Sequence, residues 1–333
     1  MNAVPRLSIG LPVYNGETYL AESLEALLGQ TYEDFELIIS DNASTDSTAE
    51  IYRRYAKQDS RIRYIVQPRN IGQVPNHNFL VHQAGGELFK WASHDDLYAR
   101  DLLRRCVDAL DEDPQVVLAH SRSAMIDSAG TVTKLFEYRV AVDAVRAPER
   151  FRSMLFDGWD DYIYGVMRTK VLRRTALHGS YHFADRTIVS ELGLHGPFYQ
   201  IPDYMHFRHE HSERPDWWTV QGRCAAMDPR RADRLRNPVA RLYAEYLWAY
   251  VAMIRRAPLS PADRRECYRY LATWAASRAL PVASRTLPGP DRGLVFHPKP
   301  ESSAWRQAEQ SDTSVSDVVS VEAVVAGRER KRS

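Results

Sequence analysis

Ser93, His94, Asp95 and Asp96, which end an apolar run, are the residues whose chemistry is most restrictive. Two adjacent carboxylates repel, and partial burial makes that repulsion costly unless a cation or hydrogen-bond donors compensate. An all-oxygen donor set favours Mg2+ or Mn2+, ions that join protein carboxylates to substrate phosphates. One carboxylate of the pair could equally cap the helix that follows. Three earlier clusters share this position after a strand-like run. In Pro12, Val13, Tyr14, Asn15, Gly16 and Glu17, a strand-to-helix turn needs only Asn15 and Gly16. Tyr14 is surplus to that turn. Its ring could stack on a nucleotide base, and free amides at the start of the next helix could meet a phosphate. In Asp41 to Asp46, Asp46 serves as a helix N-cap, whereas Asp41 lies too early. Asp41 either closes an Asx-turn or accepts a hydrogen bond from the imide N–H of uracil or thymine. The third cluster, Asn70 and Gly72 through Asn76, His77 and Asn78, has the composition of a turn.

Later in the chain, Asp160 and Asp161 lie beside Trp159 and Tyr162 with no strand before them, which suits a solvated or acceptor-binding loop. Asp185 stands before a helical pattern as an ordinary N-cap would. Glu191, six positions on, falls about 240° around that helix, so the two carboxylates cannot share a face. His209 and His211 would lie on one face of an extended strand. Leu242, Tyr246, Tyr250 and Met253 recur at helical spacing and are most simply a buried stripe. The alternative is a face touching a membrane, with Arg255 and Arg256 at the headgroups.

The elements that position these residues follow from hydrophobic period. Short β-branched or apolar runs at Leu7–Leu11, Phe35–Ser40, Ile62–Val66 and Leu88–Ser93 alternate with helical stretches, the signature of a parallel sheet covered by helices. Asn15 caps the first helix, Asp46 or Ser47 opens the second, and the third covers roughly residues 73–84. All four polar clusters then sit where open α/β sheets bind ligands, at the carboxyl ends of strands. Val116–Asp127 and Thr131–Glu137 flank Ser128, Ala129 and Gly130 as a hairpin. Helices dominate beyond residue 150, and residues 287–300 are rich in Pro and Gly. Residues 301–333 have the composition of a disordered tail.

The chain has 333 residues with 44 Lys plus Arg against 43 Asp plus Glu, so nothing in its net charge of +1 favours broad capture of nucleic acid or an anionic membrane. Hydrophobic residues at 44% and charged residues at 26% are globular proportions. Cys106, Cys224 and Cys267 are odd in number and far apart, which argues against a disulfide framework or a zinc site. With no basic-then-apolar leader, the reading is a reduced, cytoplasmic protein. Val239 to Ile254 is too short and too charged to span a bilayer. G-x-G-x-x-G, G-x-x-x-x-G-K-[ST], H-E-x-x-H and G-x-S-x-G do not occur.

Taken together, four ordered blocks resemble the family 2 glycosyltransferases: IGLPVYNGE at Ile9–Glu17, SDNASTDST at Ser40–Thr48, RNIG at Arg69–Gly72 and HDD at His94–Asp96. The resemblance covers roughly Leu7 to Arg214. It implies a GT-A type α/β fold, a mostly parallel Rossmann-like sheet flanked by helices with a helical C-terminal region. Residues 1–125 would be the nucleotide-sugar half, 126–225 the acceptor half, 226–286 a helical extension and 287–333 a linker and tail. The resemblance further implies inverting transfer of a sugar from a nucleoside diphosphate (UDP or dTDP) to a carbohydrate or lipid-linked acceptor hydroxyl, in the cytoplasm or at the inner face of a membrane. By resemblance, Pro12, Tyr14, Glu17, Asp41, Asn70, Asn78 and Asp95 belong to the nucleotide site. Asp95 and Asp96 would meet Mg2+ or Mn2+, with His211 as a third ligand. Asp185 takes the general-base position, and Arg168, Glu191 and Arg208 serve the acceptor side or support it. Two positions depart from the family pattern: Ser93 replaces the first Asp of Asp-x-Asp-Asp, so ligation rests on Asp95, and His77 precedes Asn78 where the family carries Arg-Asn. A sugar-phosphate nucleotidyltransferase would open with a Gly- and Arg-rich loop that Ile9–Glu17 lacks. A non-catalytic nucleotide-sugar-binding protein is the other alternative, suggested by Ser93 and His77.

Overall fold

The computed structural model describes residues 4–136, 140–157, 162–210 and 219–279. Four parallel strands open the chain: β1 (Leu7–Val13), β2 (Phe35–Asp41), β3 (Ile62–Val66) and β4 (Leu88–Trp91). β1 is buried along its whole length, as its run of apolar residues requires of a strand covered on both faces. Helices α1 (Leu20–Leu28), α2 (Thr48–Ala56) and α3 (Gln73–Gln83) connect them. Because the chain adds β2 and β3 on one side of β1 and then returns to place β4 on the other, the sheet order reverses between β1 and β4. The carboxyl ends of those two strands therefore border the crevice where such sheets take ligands.

The expected fourth strand, Leu88–Ser93, ends two residues early. β4 stops at Trp91, and Asp96–Tyr98 forms a separate short strand, β5, antiparallel to the long late strand β9 (Phe198–His209). Helix α4 (Leu102–Glu112) leads to β6 (Leu118–Ile126), which pairs with β7 (Val132–Phe136) in the expected hairpin. After α5 (Ala147–Phe156) and a single 3-10 turn at Tyr162–Tyr164, β8 (Val166–Arg168) runs antiparallel between β4 and β6. The order among described residues is β3-β2-β1-β4-β8-β6-β9-β5, with β7 beside β6.

Helices α6 (Thr169–Leu172), α7 (Ala184–His195), α8 (Val220–Met227), α9 (Val239–Arg256) and α10 (Pro261–Ala279) complete the described chain. Leu242, Tyr246, Tyr250 and Met253 are all buried, and the last three pack with Phe151 of α5 and Trp274 of α10. Their stripe is core, which removes it as a membrane face. Arg256, partly exposed at the end of α9, pairs with the buried Glu191. No described helix is long and apolar enough to cross a membrane. The three cysteines are buried and free.

Candidate active site at the carboxyl ends of the strands

Three loops meet at the crevice because each satisfies the backbone of its neighbour. Asn15, with its backbone in the left-handed region at φ 51°, does not cap α1; that helix begins five residues later. Its side-chain oxygen instead accepts the Thr45 amide at 2.9 Å. Glu17 accepts the Ser47 amide at 3.0 Å. In return the amides of Asn15, Gly16 and Glu17 donate to Ser44, Thr48 and Asp46. Those amides are thus committed within the protein, and the expectation that they are free to receive a phosphate is corrected. A second stitch joins the loops after β2 and β3. Asn42 donates to Asn70 at 3.0 Å and accepts the Ile71 amide at 2.8 Å. Asn70 also accepts the Gly72 amide.

Asp41, at the end of β2, is 2% exposed. One oxygen accepts the Ser44 amide, three residues on, at 2.8 Å, and the other accepts the Tyr52 hydroxyl at 3.1 Å. Burial and the neighbouring carboxylate push the Tyr52 hydroxyl up to about 12, so it stays a donor. Pro12 is buried inside β1, whereas Tyr14 is 44% exposed at the rim. Gly16 admits the fourth loop: a Cβ there would lie 2.7 Å from the His94 ring and 2.7 Å from Val13.

At that fourth loop both carboxylates are nearly closed off, Asp95 at 8% and Asp96 at 5% exposure. Asp95 accepts the Ser93 hydroxyl, and its carbonyl meets His209 Nδ1 at 2.6 Å. The His209 ring stacks on Tyr19 with centroids 4.2 Å apart. Asp96 lies opposite Arg208 in the β5–β9 register. One Asp96 oxygen is 2.8 Å from His206 Nε2, and His206 Nδ1 is 3.3 Å from the Ser123 hydroxyl. The His206 ring is stacked parallel to Tyr98. Burial first, and the charge of Asp95 second, push the Asp96 carboxyl up to about 7. His206 escaped the sequence reading, although its spacing of two from Arg208 on an extended run was the available signal.

Asp185 sits in the first turn of α7, half-buried. With Arg186 and Ser190 it lines a small cavity against Met154, Tyr162 and Ile163. The cap position belongs to Phe183, in the left-handed region at φ 57°. Glu191 is turned away, buried, paired with Arg256 at 2.9 Å and accepting the Ala176 amide. Two expected residues are not brought to the crevice. Asn78 exchanges both hydrogen bonds of its amide with the backbone of His178. Arg168 lies at the opposite end of the sheet, beside Leu88, where it donates to the carbonyls of Leu110, Asp113 and Val116. Antiparallel β8 runs from the crevice toward the amino end of β4, so its last residue ends far from the acidic loop. His211, Asp160 and Asp161, and the expected linker and tail at 287–333, lie outside the described residues.

The glycosyl transferase family 2 model matches residues 8–179, a span that holds all the stitched loops and the acidic pair. The chain belongs to that family. Among curated relatives, an uncharacterized glycosyltransferase of Haemophilus influenzae is 31% identical over 140 residues, 42% of this chain and 56% of that protein. Glycosyltransferase GlyG of Streptococcus pneumoniae is 31% identical over 115 residues, 34% of this chain and 38% of that protein. This family 2 chain therefore spans little more than half, or less, of those relatives. In fold it is similar to S. aureus TarS 1-349, solved with UDP-GlcNAc, at TM-score 0.51 and 16% identity, over 82% of this chain and 91% of that one. The expected GT-A arrangement is thereby borne out.

Proposed function

We propose that this chain is an inverting glycosyltransferase that moves a sugar from a nucleoside diphosphate to an acceptor hydroxyl. The observation that carries the proposal is the buried Asp95–Asp96 pair, set at the mouth of the sheet where the stitched loops leave Tyr14 exposed. Family membership supports the donor class, and so does UDP-GlcNAc in the TarS structure. In this reading the Tyr14 ring stacks on the base, and Asp41, held in place by the Ser44 amide and the Tyr52 hydroxyl, uses a remaining lone pair for the imide of uracil. UDP or dTDP then fits better than a purine nucleotide.

The donor set fits Mg2+ or Mn2+. Burial, and after it the repulsion of the neighbouring Asp95, push the Asp96 carboxyl up to about 7, and a cation relieves the repulsion. The described residues include no group of three His, Cys, Asp or Glu side chains that could hold an ion by itself. Asp95 would be the carboxylate ligand, and the remaining ligands would come from the diphosphate or from His211. When bound, the ion neutralises charge on the departing diphosphate. Asp96 remains with His206 and keeps the loop in register with β9. Asp185 accepts the proton of the acceptor hydroxyl as that oxygen attacks the anomeric carbon from the side opposite the diphosphate, which gives inversion without a covalent enzyme intermediate. Residues 1–125 serve the donor and 126–225 the acceptor. The acceptor, a carbohydrate or a lipid-linked one, meets the enzyme in the cytoplasm, where free cysteines persist.

Asp185→Asn tests the assignment. It keeps shape and removes the proton acceptor, so donor affinity by titration should be unchanged while release of nucleoside diphosphate falls roughly 10²- to 10⁴-fold. Wild-type turnover in this variant would refute the base, and pyrophosphate release by the parent would refute the reaction class.

A further inference from the structure

Lys90 is a charged residue in a place that asks for an aliphatic one. It lies within β4, whose other residues, Leu88, Phe89 and Trp91, are apolar and buried, and it is itself 1% exposed. Its ammonium donates to the Tyr164 carbonyl and stands 4.7 Å from the centroid of the Tyr98 ring, the ring stacked on His206. With Cys106, His120, Ser121, Tyr164 and His206 it lines a small polar cavity behind the acidic loop. Its hydrogen bond goes to a carbonyl and not to a carboxylate, yet it is within electrostatic reach of Asp96, each group favouring the charge of the other. Burial draws the Lys90 ammonium down to about 8, which leaves it charged in neutral solution.

A buried ammonium with one carbonyl and one aromatic face is costly, and a methionine of similar volume would fill the strand without that cost. The retained charge acts on its surroundings. We infer that Lys90 is a positioning residue that offsets the charge of the Asp95–Asp96 pair from behind, so that the pair alone holds a divalent cation weakly and holds it well only when the donor's diphosphate adds its own negative charge. Metal and nucleotide then arrive together. The effect substitutes in sign for Ser93, which already removes one negative charge from the motif. This inference rests on the metal reading proposed above.

Lys90→Met removes charge and hydrogen bond. Lys90→Gln removes the charge and keeps a donor toward the Tyr164 carbonyl. Mn2+ binding, read from the loss of the free-ion paramagnetic resonance signal, is measured for full-length protein with and without UDP. The parent is expected to bind Mn2+ weakly alone and more tightly with UDP. Both variants should bind Mn2+ alone about 10-fold more tightly, the scale of one pKa unit of charge interaction, and depend less on UDP. Both should melt at or above the parent temperature. Equal Mn2+ affinity in parent and variants, with UDP still tightening binding in the parent, overturns the role of Lys90 and leaves the metal reading standing. Absence of Mn2+ binding in every protein, with or without UDP, overturns the metal reading and this inference with it. Failure of both variants to fold overturns the inference by making Lys90 a residue of the fold.

Discussion

At the scale of single residues, Asp41 combines two roles that its type allowed as alternatives. Its carboxylate closes the turn with the Ser44 amide, accepts the buried Tyr52 hydroxyl, and still has acceptor capacity toward the crevice. Asp41→Ala should therefore cost about 1–3 kcal/mol of stability, because Tyr52 is left buried without its acceptor. In a Tyr52→Phe background the same change should cost about 1 kcal/mol less, since the orphaned hydroxyl is gone. Urea unfolding of the four proteins measures the difference, and equal costs in both backgrounds would show that the hydrogen bond contributes nothing. Weakened binding of UDP should appear in both backgrounds alike. Which polar residues lie at strand ends was legible in the sequence. Which of them spend their hydrogen bonds on one another was not, because Asn15 with Thr45 and Asn42 with Asn70 are contacts between loops about 30 positions apart.

At the scale of elements, the sequence displayed the parallel strands, the hairpin and the long helices, all of which carry a period over many residues. It did not display β5, whose three residues are too few for alternation and whose pairing partner lies more than a hundred positions away in β9. Nor did it display the direction of β8, which puts Arg168 at the end of the sheet away from the acidic loop. The junction of α7 with α9 is also a matter of pairing. Glu191 is 2% exposed, while its partner Arg256 is 41% exposed at the end of α9. Glu191→Ala should free that end, strand the Ala176 amide, and lower stability by roughly 1–3 kcal/mol, less than for a pair buried on both sides. Thermal melting measures the loss, and donor affinity should not move, because both residues lie away from the crevice loops. A change in UDP affinity would place Glu191 in the donor site instead.

At the scale of the whole molecule, a net charge of +1 leaves little global repulsion, so pH acts through individual buried groups. Burial holds His120 and His182 down to about 4 and holds His178 well below the ordinary imidazole range. An unfolded histidine titrates at about 6.5. As pH falls below that, the unfolded chain takes up protons the fold refuses. The stability these neutral rings permit is complete above about 6.5 and is lost progressively toward about 4. Asp96 acts in the opposite sense. Raised to about 7, it keeps in the fold a proton that an unfolded carboxylate gives up, so its contribution is complete below about 4 and is lost as pH rises through about 7. His77, also held down to about 4 by burial, and His195, lowered by burial too, act in the same sense as these three, so the histidines outweigh Asp96 and acid is the destabilising direction. His182 isolates the effect, because it is 1% exposed among Phe183, Tyr243 and Tyr246, and neither ring nitrogen has a hydrogen-bond partner. His182→Phe keeps an aromatic ring and removes a titrating group. The melting temperature of the parent should fall steeply between pH 6.5 and 4.5, on the order of the window set by these shifts. The variant should match or exceed the parent at pH 7.5 and exceed it by a wider margin at pH 5, roughly one pH unit or more into that window. The same margin at both values would mean that His182 takes up its proton in the folded protein.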